Sequence, residues 1–224
     1  ILDDFCKKFN ESLEKALISD QKTTMKKSAL SLSEVMTIVI LFHKSGFRFF
    51  KYFYCHMIIP FWKSAFPKLL SYNRFIEIMP RCLQALSSFF HQVKGEDTGI
   101  CIIDSTKLVV CHNLRIKRHR VFKGLAGRGK SSTGWFYGFK VHIVINNLGE
   151  IINLKITSGS VHDVAVLESL TQELKGILLG DKGYLSKAKT EALAARGLRL
   201  LTPSRKNMKN KPIQTEEEKQ LLCR

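Results

Sequence analysis

Two aspartates, each directly after a short apolar segment, are the residues of this chain best suited to chemistry. Asp104 follows the apolar residues 100–103, and Asp181 follows residues 177–180, which are three apolar residues and a glycine. Apolar runs of this length between turn-forming residues predict buried β-strands, so each strand is expected to end in a carboxylate. Two such carboxylates can hold divalent metal ions, Mg²⁺ or Mn²⁺, in a site that transfers phosphoryl groups. The alternative is that each aspartate only caps the turn after its strand.

The charge of the chain indicates an anionic partner. Its 224 residues include 36 Lys and Arg against 19 Asp and Glu, which gives a net charge of +17 and a pI near 9.8. Nucleic acid is the commonest partner of such a basic protein, and an anionic membrane surface is the second candidate. The sequence contains no stretch of eighteen uninterrupted apolar residues, so it predicts no membrane-spanning helix. The six cysteines contain no C-x-x-C pair, which indicates reduced thiols and a cytoplasmic protein.

The chain divides at a polar segment, residues 95–98, which interrupts a helical pattern. We therefore predict two domains, 1–95 and 96–224. The first is predicted to be all-helical, because Ser31 and Glu34 form a capping box in front of a broad apolar helix face. The chain begins with Ile rather than Met, so we expect it to be a fragment.

A second N-cap, Ser71, starts a short helix that should break at Pro80. This places Asn73 and Arg74 in the first helical turn. Polar side chains in that position read bases in helix-turn-helix proteins, so these two residues are candidates for DNA recognition. The alternative is an ordinary helical bundle that turns both side chains to solvent.

The second domain is predicted to follow the order strand, strand, strand, helix, strand, helix, strand. Its second strand, 135–146, alternates in polarity and carries His142 on the polar face, where the ring either lines a site or is solvated. Asp163 is interpreted as the N-cap of the first helix. With Asp104 ending the first strand and Asp181 following the fourth, this order predicts an α/β fold with a ribonuclease H-like mixed sheet and flanking helices.

A basic segment lies between the first two predicted strands. Residues 105–149 contain no Asp or Glu. Because the segment adjoins the predicted metal site, we expect it to contact the phosphate backbone of DNA, the alternative being a solvated charged face. Lys182, beside the second aspartate, is a further candidate. The candidate contacts within the segment are Lys107, Arg115, Lys117, Arg118, Arg120, Lys123, Arg128 and Lys130.

Residues 124–131 match the P-loop pattern G-x-x-x-x-G-K-[ST] in full. A P-loop follows a buried strand and opens a helix at its Lys-Ser pair, because the helix N-terminus and the backbone amides hold the phosphates. Neither element is predicted here, since the flanking residues are basic on one side and aromatic on the other. We interpret the match as coincidental and keep a P-loop nucleotide hydrolase as the third hypothesis.

Several motifs in order resemble the DDE transposases of bacterial insertion sequences, and the insertion sequence 982 family most closely. The resembling segments are residues 3–6, 30–36, 71–75, 102–106, 111–130, 134–142 and 180–184, which together extend over nearly the whole chain. The resemblance implies an enzyme in which two aspartates and a downstream glutamate hold two magnesium ions. These ions activate water or a DNA 3′-hydroxyl for attack on a phosphodiester. Asp104 and Asp181 match the first two acids.

The resemblance also implies binding partners and a cellular location. The partners would be transposon-end and target DNA, bound by a homo-oligomer without a membrane, in the bacterial cytoplasm and in association with the nucleoid. The implied function is DNA transposition and recombination by metal-dependent strand cleavage and transfer. The alternative is a DNA-binding remnant of such an enzyme without catalytic activity.

The third acid of such an enzyme is a glutamate on a helix that follows the last core strand. In that region the chain contains Glu216, Glu217 and Glu218, which the positive end of a helix dipole would also favour. In the resembling family the glutamate comes later in that helix, so we expect it beyond Arg224. We therefore expect the 224-residue chain, with its C-terminal end missing, to bind DNA without cleaving it in magnesium or manganese.

Replacing Arg115, Lys117 and Arg118 together by Ala should weaken binding to all DNA sequences alike. Removing one phosphate contact reduces the slope of log K against log salt by about one unit, so the salt dependence should flatten. DNA affinity measured over a series of salt concentrations tests this expectation. An unchanged slope in the triple variant would show that the basic segment only faces solvent.

Overall fold

The computed structural model divides into two units, Ile1–Val93 and Lys94–Arg224, and the polar segment 95–98 lies at the start of the second. The structure describes residues 1–17, 29–203, 215 and 221. Each unit buries its own cluster of apolar side chains. Across the described ranges, no helix combines the length and the apolar character that crossing a membrane requires.

The first unit is helical. Its helices are α1 (Leu2–Leu17), α2 (Leu32–Lys44), α3 (Phe50–Phe53), α4 (Ile59–Phe61), α5 (Tyr72–Ile78) and α6 (Leu83–Val93). At the start of α2, Ser31 Oγ accepts a hydrogen bond from the Glu34 backbone N–H at 3.2 Å, and a Glu34 carboxylate oxygen accepts one from the Ser31 N–H at 2.7 Å. The predicted capping box is therefore confirmed, and it satisfies two donors that a helix start otherwise leaves unpaired.

Irregular turns connect the remaining helices of this unit. A π turn over Tyr54–Ile58 joins α3 to α4, and a 3₁₀ turn over Met79–Cys82 joins α5 to α6. Pro80 lies in the second turn, where its missing N–H ends the α-helical hydrogen-bond pattern, as predicted. Ser71 occupies the N-cap position of α5 in an extended conformation, but its side chain makes no capping hydrogen bond.

The second unit contains a six-stranded mixed sheet. Its strands and helices are β1 (Ile100–Cys111), β2 (Gly127–Ser131), β3 (Gly134–Asn146), β4 (Ile151–Ser158), α7 (Asp163–Leu170), β5 (Gly176–Gly180), α8 (Lys187–Ala195) and β6 (Leu198–Leu201). β1 pairs antiparallel with β3 and parallel with β5, while β4 is antiparallel to β3 and β6 is parallel to β5. The order β4, β3, β1, β5, β6, with β3 running against the others, confirms the predicted ribonuclease H-like fold.

The first strand is longer than the sequence predicts, and this changes the position of its aspartate. β1 has twelve residues, so Asp104 lies inside the strand and not at its end. The apolar run stops at residue 103, but β3 pairs with β1 from Cys101 to Cys111 and supplies hydrogen bonds beyond that point. The partner β5, in contrast, ends its pairing with β1 at Ile103.

A strand that the sequence did not predict, β2, forms within the basic segment. It pairs antiparallel with the start of β3 through a tight turn between Ser131 and Gly134. Its glycines and basic residues give no strand signal, because neither type favours strands locally. The glycines are nevertheless required by packing: a side chain at Gly129 would meet the Gly159 carbonyl oxygen at 2.2 Å and the Phe136 ring at 2.8 Å.

Candidate active site

The pairing of β1 with β5 brings the two aspartates to the same place. The parallel register runs from Ile100 opposite Ile177 to Ile103 opposite Gly180, and the next residue of each chain segment is an aspartate. Asp104 and Asp181 line one cavity of about 320 Å³. Both residues are exposed to solvent. Both predicted residues therefore line the same cavity, although Asp104 continues a strand instead of ending one.

A backbone amide orients each of the two carboxylates. Asp104 Oδ1 accepts a hydrogen bond from the Ser105 N–H at 2.7 Å, and Asp181 Oδ1 accepts one from the Lys182 N–H at 2.6 Å. Asp181 is the N-cap of the 3₁₀ turn Lys182–Tyr184. It therefore has the capping role that the sequence offered as an alternative, and it lines the cavity as well. A carboxylate has about four acceptor positions, so one such bond leaves room for further ligands.

The cavity combines carboxylates, ammonium groups and hydroxyls. Besides the two aspartates, its walls are formed by Ser105, Thr106, Lys107, Lys130, Ser131, Ser132, Thr133, Phe136, Lys140, Asp163, Gly183 and Tyr184. Carboxylate oxygens are the ligands that Mg²⁺ and Mn²⁺ prefer, and lysine ammonium groups bind phosphate oxygens. The set is therefore suited to holding a phosphate ester next to divalent cations.

A third aspartate in this cavity, Asp163, was not recognised as a site residue from the sequence. The predicted N-cap role was wrong, since His162 is the N-cap of α7 and Asp163 is the first residue of the helix. Lys140 Nζ, on β3, donates hydrogen bonds to Asp163 Oδ1 and to the Val161 carbonyl oxygen, both at 2.9 Å. Local sequence gave no signal for this pair, because the two partners are 23 residues apart and meet only when the start of α7 reaches the sheet.

His142 was predicted to lie on the polar face of its strand, either lining a site or solvated, and the structure shows that it is not solvated. The side chain is fully buried, and its Nε2 atom lies 2.9 Å from Thr157 Oγ1 on β4. The strand face that carries it also buries Val144 and Asn146. A polar residue can occupy this face because Thr157 supplies a hydrogen-bond partner. Burial lowers the pKa of His142, against an opposing attraction from the Asp163 carboxylate at 3.9 Å from Nδ1.

Tyr184 is a buried aromatic residue in the wall of the cavity. Its side chain is 1% exposed. Burial, followed by the negative charges of Asp163, Asp104 and Asp181, raises the pKa of Tyr184 well above its usual range. Its hydroxyl therefore keeps its proton under all ordinary conditions.

The basic residues predicted to bind DNA are distributed over several elements. Lys130 lines the cavity, and both Arg128 and Lys130 lie over the ring of Trp135, at 5.1 and 5.8 Å from its centroid. Lys107 lies on β1 and also lines the cavity. The other candidates outside the first unit are exposed and lie outside the strands: Arg115, Lys117, Arg118, Arg120, Lys123 and Lys182. In the first unit, Asn73 and Arg74 are exposed in the first turn of α5, and Arg74 forms an ion pair with Glu77.

The P-loop match does not form a P-loop. Residues 124–126 lie in a turn, and Gly127–Ser131 forms strand β2, with Lys130 paired opposite Trp135. No helix opens at the Lys-Ser pair, so the helix N-terminus that would hold phosphates is missing. The segment contributes to the cavity through side chains of an edge strand instead.

The candidates for the third acid, Glu216, Glu217 and Glu218, lie outside the described residues. Within the described part of the chain, no three His, Cys, Asp or Glu side chains are grouped closely enough to hold one metal ion. The position of the third acid therefore stays a prediction.

The fold and the two neighbouring aspartates together define a ribonuclease H-like protein with a pair of carboxylates at the centre of its sheet. Residues 94–224 match the family model described as "Transposase DDE domain". Since this match covers more than half of the chain, the protein belongs to the family of DDE transposases. No curated protein matches the chain in sequence.

Two solved structures show weak similarity to this fold. One is a piggyBac transposase synaptic complex with hairpin DNA, 12% identical, with a TM-score of 0.49 over 88% of this chain and 48% of that chain. The other is a Mos1 mariner paired-end complex with Mn, 10% identical, with a TM-score of 0.29 over 89% of this chain and 66% of that chain. This chain thus spans about half the length of the piggyBac chain, and the family assignment rests on the sequence match.

The buried imidazole of His142 should make stability depend on pH. Its pKa is lowered in the folded protein, while the unfolded chain titrates near the ordinary value of 6.5. As pH falls below 6.5, the unfolded state binds the proton more readily, so the free energy of unfolding should decrease towards acid. An NMR titration, with the signal assigned by its absence in His142→Gln, should give a midpoint below 6.5. A higher midpoint would mean that the attraction of Asp163 outweighs burial.

Proposed function

We propose that this chain is a transposase of an insertion sequence, similar to the 982 family, that cleaves and joins DNA at the ends of its element. The observation that carries the proposal is the register of β1 with β5, which sets Asp104 and Asp181 side by side in one cavity. Membership of the DDE transposase family supports the class of reaction. The charge of +17 supports DNA as the partner.

The two carboxylates fit a pair of divalent cations, Mg²⁺ or Mn²⁺. Both aspartates are exposed in the cavity, and a neighbouring backbone N–H orients one oxygen of each. Mg²⁺ is commonly held by one or two protein carboxylates together with water and substrate phosphates. When bound, such ions neutralise charge on the phosphodiester and activate the attacking oxygen.

The side chains around the carboxylates position the DNA. Lys107 and Lys130 lie on the walls of the cavity, where they can face the phosphodiester backbone. Lys107 is oriented by a hydrogen bond to Thr133 Oγ1. Tyr184 also lines the cavity, and its side chain is buried.

A broader basic surface extends the contact with DNA beyond the cavity. Arg128 lies over the half-exposed Trp135 ring, with its Cζ atom 5.1 Å from the ring centroid, and this cation–π contact favours a defined position of the guanidinium group for a phosphate contact. We assign backbone contacts to the exposed residues Arg115, Lys117, Arg118, Lys123 and Lys182, and base recognition to Asn73 and Arg74. The protein acts as a homo-oligomer on transposon-end and target DNA, in the bacterial cytoplasm close to the nucleoid.

Asp104→Asn and Asp181→Asn should each lower the affinity of the protein for Mn²⁺ by more than about tenfold, because each removes an anionic ligand. Mn²⁺ binding to the free protein, followed by electron paramagnetic resonance, tests this without any DNA. The matched control is Glu191→Gln, which removes one carboxylate whose side chain is 67% exposed on α8 and does not line the cavity.

DNA cleavage provides the second measurement. Any metal-dependent cutting of duplex DNA should disappear in both aspartate variants and persist in Glu191→Gln. Cutting that is abolished on changing Glu216, Glu217 or Glu218 to Gln would place the third acid among these three residues. Unchanged Mn²⁺ affinity in both aspartate variants would overturn the metal site and leave a DNA-binding remnant as the better description.

A further inference from the structure

Lys140 contributes an ammonium group to the cavity that the two-carboxylate site does not use. It lies on β3, opposite Lys107 of β1 and Thr157 of β4. Its side chain is only 13% exposed, although it lines the cavity. Burying a charged amine costs free energy unless it is paired and hydrogen-bonded, so the ammonium group needs fixed partners at this position.

Two acceptors hold the ammonium group in a defined position. Its Nζ atom donates to Asp163 Oδ1 and to the Val161 carbonyl oxygen, both at 2.9 Å. These acceptors flank the beginning of α7 and are therefore fixed relative to β3. An ammonium group has three N–H donors, so two bonds of this kind leave the third for a ligand in the cavity.

The carboxylate of Asp163 is itself confined between β3 and the turn that follows Asp181. Its Oδ1 atom lies 3.9 Å from Nδ1 of His142 in addition to its bond with Lys140. Its Oδ2 atom would lie 3.3 Å from a Cβ atom added at Gly183, so the glycine lets this turn pass close to the carboxylate. Asp163 is thus fixed on both sides, and it fixes Lys140 in turn.

We propose that Lys140 binds a phosphate oxygen of the DNA beside Asp104 and Asp181, and that Asp163 is a positioning residue that holds Lys140 there. The proposal rests on the proposed function, because it needs a phosphodiester at the two carboxylates. A preorganised positive charge in a partly buried cavity stabilises phosphate charge more strongly than a flexible surface lysine does. Since Asp163 Oδ1 is bonded to Lys140, its carboxylate neutralises a lysine and is not primarily a metal ligand.

The test compares Lys140→Met with Lys155→Met. Lys155 is a suitable control because it lies on β4, donates to Ser169 Oγ at 2.8 Å and does not line the cavity. DNA affinity is measured by fluorescence anisotropy on a short duplex over a series of KCl concentrations, with Ca²⁺ or with EDTA. In Ca²⁺, Lys140→Met should reduce the slope of log K against log salt by about one unit, whereas Lys155→Met should leave it unchanged. Lys140→Arg should keep the slope.

Asp163→Asn separates positioning from metal binding. Because the lysine charge remains, this variant should keep the salt slope but bind DNA more weakly in Ca²⁺, by about tenfold or less. Its Mn²⁺ affinity without DNA should equal that of the unchanged protein. If Asp163→Asn weakens Mn²⁺ binding as severely as Asp104→Asn does, Asp163 is a metal ligand and its positioning role is overturned.

The outcomes distinguish this inference from the proposed function. Equal slopes for Lys140→Met and Lys155→Met, together with loss of Mn²⁺ binding in Asp104→Asn, would overturn the role of Lys140 and leave the metal site intact. Unchanged Mn²⁺ binding in both Asp104→Asn and Asp181→Asn would instead overturn the metal site of the proposed function. Should Lys140→Met fail to fold, Lys140→Gln, which retains hydrogen-bond donors, takes its place in the same measurement with the same expected slope.

Discussion

The parallel pairing of β1 with β5 is the interaction on which the rest of the site depends. Ile103 lies opposite Gly180, and the residue after each is an aspartate, so a register change of one residue would turn one carboxylate to the opposite face of the sheet. The pairing is fixed by burial: Ile103 and Leu178 are almost completely excluded from solvent in the core of this unit. The apolar run before each aspartate therefore fixes the register that places the two acids next to each other.

The cavity contains nearly balanced charges, and this balance explains how so many ionisable groups can lie close together. Three aspartates and three lysines line it. Two of the acids are exposed and oriented by neighbouring amides, while the third is paired with Lys140. The exposed pair is suited to binding cations, and the paired acid is suited to holding a cation of the protein itself. The same residue type thus lies in two different environments within one cavity.

The strand β2, which forms inside the basic segment, determines where the basic side chains of that segment lie. β2 attaches to β3 because Gly127 and Gly129 allow close packing against Ser158 and Gly159. The pairing places Lys130 on the cavity wall and Arg128 over the Trp135 ring. A segment that resembles a phosphate-binding loop in sequence therefore becomes the edge of a sheet, and any phosphate it binds is held by side chains rather than by a helix end.

Local patterns of residues were enough to predict the basic character of the chain, the capping box of α2, the order of most strands and helices, and the adjacency of Asp104 and Asp181. Apolar runs, caps and composition depend only on residues close together in the chain, so they can be recognised without the fold.

Four features became visible only in the folded protein. They are the full length of β1, the existence of β2, the burial of His142 and the place of Asp163 beside Lys140. Each of these depends on a partner from a distant part of the chain: β3 extends β1, Thr157 satisfies the buried histidine, and the start of α7 brings a carboxylate to the sheet. Hydrogen bonds and ion pairs of this kind produce no recognisable pattern in the sequence. They form only when two distant segments meet, and the residues that neighbour each partner along the chain do not determine whether this happens.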